Sequence, residues 1–140
     1  GGPPEPIDIA GFRFFCFWDE LSDEQQPLRT GLRKKLFDAA MTDNVHNCPQ
    51  IHVHHYMIAP ATFAKNKHYQ YSIADELKAD LERTGRVRAV LSGHYHPGSL
   101  IDGVTVHSGA PAFCEAPHTY RVYDLFEDGR TLVTDHLIDA

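Results

Sequence analysis

Residues 86–98 read RVRAVLSGHYHPG, and the parsing of this stretch decides the fold. Arg86 to Leu91 is a short apolar run of strand type, and Gly93 and Pro97-Gly98 then turn the chain sharply. His94 and His96 are two residues apart, a spacing that sends side chains to different sides of a helix, so both belong to a loop. The flanking glycines leave its backbone free to bring both imidazoles towards one point.

Working upstream, Ile73, Leu77 and Leu81 share a helical face over 73–84. Ser72 is placed to cap that helix with Asp75 at the third helical position, and Gly85 to close it in the left-handed conformation. Gln50 to Met57 (QIHVHHYM) reads as a strand closed by Pro60, and Phe12 to Trp18 (FRFFCFW) as a first strand covered on both faces. Between them, Pro27 suits a first helical turn, and Leu28, Leu32, Leu36 and Ala40 recur every four residues among Arg29, Arg33 and Lys34. Downstream, Asp102-Gly103 and Asp128-Gly129 are hairpin signals flanked by Val104 to His107, Thr119 to Leu125 and Thr131 to Leu137. This order predicts an α/β fold with a mixed sheet, parallel crossovers first and antiparallel hairpins afterwards. Residues 1–8, with three prolines and two glycines, are expected to be a loose lead-in to a fold covering 9–140.

Composition narrows the function classes. At 140 residues and 42% hydrophobic content, the chain is sized for a single domain. Thirteen Lys and Arg against nineteen Asp and Glu leave a net charge of −6, so attraction to a phosphate backbone is weak and nucleic acid is not indicated as a partner. No apolar run approaches the roughly 20 residues of a membrane helix, and GGPPEPIDIA lacks the basic-then-apolar layout of a secretory leader. A cytoplasmic protein without membrane contact is the expectation. Cys16, Cys48 and Cys114 are odd in number and widely spaced, which indicates neither a disulfide framework nor a cysteine zinc site.

Ten histidines are the compositional excess. In open α/β sheets, ligands bind beyond the carboxyl ends of the parallel strands. His54 and His55 fall at the end of one predicted strand and His94 and His96 just past the end of the next, and a single crossover helix brings the two ends together. Imidazole nitrogens so placed suit zinc and comparable transition metals. His52 reads as a hydrogen-bonded strand histidine, a set of His46, Cys48 and His52 is too loosely spaced for zinc, and His68, His107, His118 and His136 read as solvent-facing or capping residues.

The string Gly93-His94-Tyr95-His96, with His54-His55 closing an earlier strand, resembles the calcineurin-like metallophosphoesterase superfamily, over roughly residues 9–138 in order of elements. The resemblance implies a four-layer αββα sandwich and hydrolysis of a phosphate ester substrate, phosphomonoester or phosphodiester, at a dinuclear metal site. The ions implied are two divalent or trivalent transition metals, manganese, iron or zinc. By position it implies that His54 and His94 ligate one ion and His96 the other, with His55 and Tyr95 just behind them.

The family's Asp-x-His, Gly-Asp and Gly-Asn-His motifs do not occur in the chain. By this comparison residues 9–140 correspond to the C-terminal half of such a domain, and the catalytic residues stay unassigned. No Asp or Glu lies within four residues of His54 or His94, which leaves Asp102 and Glu115 as later carboxylates. Three neutral imidazoles do not offset two ions, so the chain alone is expected to hold at most one ion weakly and to lack activity. Half a sandwich leaves sheet edge and face uncovered, so association with the missing N-terminal half or with itself is expected. Two other functions compete: a non-catalytic scaffold or interaction subunit of the same fold, and a small histidine-only metal-binding module.

Overall fold

The computed structural model describes residues 4–59 and 67–138. Its sheet starts earlier than the proline-rich beginning suggests. Ile7–Ile9 (β1) turns through Ala10 and Gly11, both at positive φ, and pairs antiparallel with Phe12–Cys16 (β2). Ile7 and Asp8 therefore belong to the sheet rather than to a loose lead-in.

A second departure follows at once. Glu20–Leu21 (β3) and Pro27–Leu28 (β4) form a small antiparallel pair, and the helix predicted from Pro27 begins only at Gly31, as Gly31–Thr42 (α1). The extended segment turns Arg29 inward, and its side chain is fully buried. The helix face shifts accordingly: Phe37 and Ala40 are buried, whereas Leu32, counted on the predicted apolar stripe, is 57% exposed.

Gln50–Val53 (β5) stops four residues short of Met57, so His54 and His55 lie just past its end. Pro60, expected to close this strand, lies outside the described residues. Ala74–Thr84 (α2) leads into Val87–Ser92 (β6), followed by Ser99–Ile101 (β7), Val106–Gly109 (β8), Thr119–Leu125 (β9) and Thr131–Leu137 (β10). Gly85 ends α2 at φ 63°, as the sequence predicts. Ser72 does not cap it: the cap position is Ile73, with no side-chain cap hydrogen bond.

The main sheet has the order β1-β2-β5-β6-β8-β7. Its inner four strands are parallel and its two edge strands antiparallel, so the α/β class and the mixed sheet are as predicted. Asp102-Gly103 lies in the β7–β8 connection and Asp128-Gly129 in that of β9 and β10, where hairpin signals place them. The tail is not antiparallel throughout, because β8 enters the sheet alongside β6 in parallel.

Each face of this sheet carries its own core. On one, Phe37 of α1 and Leu77 and Leu81 of α2 pack with Val87 and Val90. On the other, Phe12, Ile51, Ala89 and Val106 meet Leu125 and Val133 of the β9–β10 ribbon. Strict alternation would put Val87 and Ala89 on one face; a register shift between Gln50 and Ile51 separates them. The order is thus helices, sheet, ribbon. No helix among the described residues is long and apolar enough to cross a membrane.

Candidate functional site

Because β5 and β6 are adjacent and parallel, their carboxyl ends lie side by side, and the backbone ties them beyond the strands. The His54 amide donates to Leu91 O at 3.0 Å, and the Gly93 amide donates to His55 O at 3.0 Å. These bonds seat the histidine loop on residues 54–55. Within it the Gly98 amide donates to Tyr95 O, the Ala112 amide donates to His96 O, and His94 takes a left-handed backbone at φ 63°.

The side chains then sort in a way the strand-end argument does not foresee. His94 meets His55, with His55 Nε2 and His94 Nδ1 3.1 Å apart, so one of these nitrogens donates to the other. Tyr56 and Tyr69 also contact the His94 ring, at centroid distances of 4.8 and 5.5 Å, and Tyr69 stands against Tyr95. His55, expected behind the ligands, is thus the direct neighbour of His94. His96 is exposed and pairs through Nδ1 with Glu115. An open cleft of about 350 Å³ is lined by His68, Tyr69, His94, His96 and Pro97. Asp102, the other carboxylate considered, lines a separate hollow of about 600 Å³ with Arg88 and Arg130.

His54 turns the other way, into the helix-side core. It is 4% exposed and packs against Phe17, His52 and Tyr71. Its Nδ1 lies 3.3 Å from the Tyr71 hydroxyl, and its Nε2 is buried with no hydrogen-bond partner among the described residues. Behind Tyr71 stands an ion pair that sequence reasoning missed. Arg29 donates through Nε and Nη2 to the two oxygens of Asp19 and through Nη2 to Tyr71 Oη, and Tyr71 donates to Asp19 Oδ2 at 2.6 Å. The guanidinium also lies over the rings of Phe17, Phe37 and Tyr71. Arg29 lies among leucines at helical spacing and Asp19 ten residues before it, so no local pattern marks either; only the β3–β4 turn brings them together.

Burial governs the protonation of these groups. Desolvation first, then the charge of Arg29, pushes His54 well below the ordinary histidine range, and the same two causes push His52 down to about 3. Partial burial, then the neighbouring His55 and His96, lowers His94. His54 and His94 are therefore neutral near pH 7, the form in which imidazole offers a lone pair.

His52 is buried, with Nε2 2.9 Å from Gln50 Oε1, the hydrogen-bonded strand histidine expected. His107 corrects its solvent-facing expectation: it is 3% exposed and pushed down to about 4, chiefly by burial and then by Lys78. Among the described residues no group of three or more His, Cys, Asp or Glu side chains gathers closely enough to hold a metal ion. The residues present fit imidazole ligation of a single ion by donor chemistry; for a dinuclear centre, the carboxylate nearest His54 among the described residues, Asp19, reaches it only through Tyr71 and is held by Arg29.

Comparison of the chain with models of protein families gives no match, and comparison with curated proteins gives none.

Proposed function

We propose that this chain belongs to a metal-dependent phosphoric ester hydrolase and contributes His54, His94 and His96 as ligands, within a metallophosphoesterase-type sandwich. The observation that carries the reading is the seating of the 93–98 loop on residues 54–55, which sets His94 against His55 beyond the carboxyl ends of two parallel strands, while His54, the residue before His55, faces the adjoining core. His96 adds to it: a carboxylate accepts from Nδ1–H, so pairing with Glu115 leaves Nε2 as the free donor atom, the arrangement of a carboxylate-oriented ligand. The layering of helices, sheet and ribbon is compatible with one side of such a sandwich. On this reading the carboxylate ligands come from outside residues 1–140. A bound ion would polarise a phosphoryl oxygen of the ester.

The test is hydrolysis of bis(4-nitrophenyl) phosphate by the intact protein in manganese, iron or zinc. Turnover that falls at least a hundredfold in His94→Ala supports the proposal. Absence of turnover with all three metals overturns it in favour of a non-catalytic scaffold, a reading favoured by the lack of a closed cage of ligands among the described residues.

A further inference from the structure

The buried Asp19–Arg29–Tyr71 cluster has more order than a core ion pair requires, and its hydrogens can be assigned one by one. An arginine only donates and an ionised carboxylate only accepts, whereas a tyrosine hydroxyl has one proton and two lone pairs. Arg29 donates to both Asp19 oxygens, at 3.1 and 3.3 Å, and to Tyr71 Oη at 2.8 Å, so one Tyr71 lone pair is taken. The 2.6 Å between Tyr71 Oη and Asp19 Oδ2 is the length of a hydroxyl-to-carboxylate hydrogen bond, so the Tyr71 proton lies there. Two oxygens so close with no proton between them would repel. Towards His54 Nδ1, 3.3 Å away, Tyr71 has no proton left and only its second lone pair to offer, a lone pair that the Tyr56 amide also approaches, while the Tyr56 backbone provides His54 with a further acceptor.

We infer that Asp19, Arg29 and Tyr71 are positioning residues that hold His54 in the Nδ1–H tautomer, so that Nε2 carries an unshared lone pair inside the protein. Among the described residues Nε2 has no hydrogen-bond partner, and neither has Arg29 Nη1; an N–H at Nε2 would add a second buried donor without an acceptor, whereas a lone pair is what a metal ion or another electrophile takes up. The tautomer assignment stands on the hydrogen bonds alone; that Nε2 serves a metal rests on the phosphoesterase reading. Burial of Asp19 and Arg29 keeps water from offering Tyr71 or Nδ1 other partners, since their side chains are 2% and 0% exposed. The chain of influence thus runs from the β3–β4 turn, through Tyr71 just ahead of α2, to the end of β5.

Long-range ¹H–¹⁵N correlation of the imidazole nitrogens in the uniformly labelled 140-residue chain, with chelator present, tests this. The expected result is a protonated Nδ1 and a lone-pair Nε2 on His54, with the opposite tautomer at least about tenfold less populated, in line with one hydrogen bond's net worth. A protonated Nε2 in the unaltered chain overturns the inference, with no variant required. Tyr71→Phe removes the hydroxyl acceptor and should reduce the tenfold preference to a mixture; an unchanged spectrum in a folded Tyr71→Phe variant also overturns it. Addition of zinc then separates the two claims. A shift of the His54 Nε2 resonance supports a metal role, whereas the expected tautomer with no response to millimolar zinc leaves the positioning in place and counts against the metal reading.

Discussion

Arg29 shows how much one residue can decide. It is a buried cation whose carboxylate partner among the described residues, Asp19, is equally buried, and removal of either leaves the other charge unpaired in a low-dielectric site. Arg29→Met should cost about 3–5 kcal/mol in urea unfolding, and the double change with Asp19→Leu should cost less than that single change. Equal losses for the two would show that the ion pair is not what stabilises this corner. His107 is a second residue with a measurable signature. Its native pKa, about 4, lies below the ordinary value of 6.5, so the unfolded chain takes up this proton first as pH falls. The facing groups are Lys78, which lowers it, and Glu82, which raises it. The stability attached to His107 is full above pH 6.5 and is lost on descent towards pH 4, by roughly 3 kcal/mol in all. His107→Leu should flatten the dependence of the urea midpoint over that window; an unchanged slope would remove His107 as its cause.

At the scale of elements, the ends of α2 separate what is needed from what merely looks suitable. Gly85 closes the helix at φ 63°, and a Cβ added there meets nothing within 4 Å, so Gly85→Ala should cost only the backbone penalty of the left-handed region, about 1–2 kcal/mol. Ser72 has the sequence of a cap without the role, since Ile73 occupies the cap position. Ser72→Ala should therefore change thermal stability by less than about 0.5 kcal/mol. A loss near 1 kcal/mol, the usual cost of removing a cap, would show that Ser72 caps in solution. The start of α1 teaches the converse. The stripe of leucines every four residues holds in sequence, yet Pro27 and Leu28 pair with β3 because Arg29 must reach Asp19, and the helix can begin only afterwards.

For the molecule as a whole, the ribbon is attached to the sheet on the face away from the helices, and Arg121 crosses that seam. Its Nη1 donates to Ser99 O, Ser108 Oγ and Gly109 O, while Nε and Nη2 clasp Asp135. Arg121→Lys keeps the charge but loses the planar fork, so it should destabilise by about 2–3 kcal/mol, nearly as much as Arg121→Ala. Hydrogen exchange should then quicken in β9 and β10 before the parallel strands. Uniform quickening would mean that the ribbon and the sheet open as one unit.

The period of the apolar residues, the glycine and proline punctuation and the Asp-Gly turns were enough to determine the α/β class, the two helices and the mixed sheet, because those signals act within a few residues of one another. The convergence of residues 54–55 with 93–98 was legible for the same reason, once two parallel strands shared a crossover. Which histidine faces which was not. A strand end can present either of two successive side chains, and the choice between His54 and His55 fell to the packing of Phe17 and Tyr71 against one of them and of His94 against the other. The Asp19–Arg29–Tyr71 cluster lay further out of reach still. Its members are separated by up to 52 residues and bear no local pattern, and only a folded core, where a charge must find its partner or not be buried at all, brings them together.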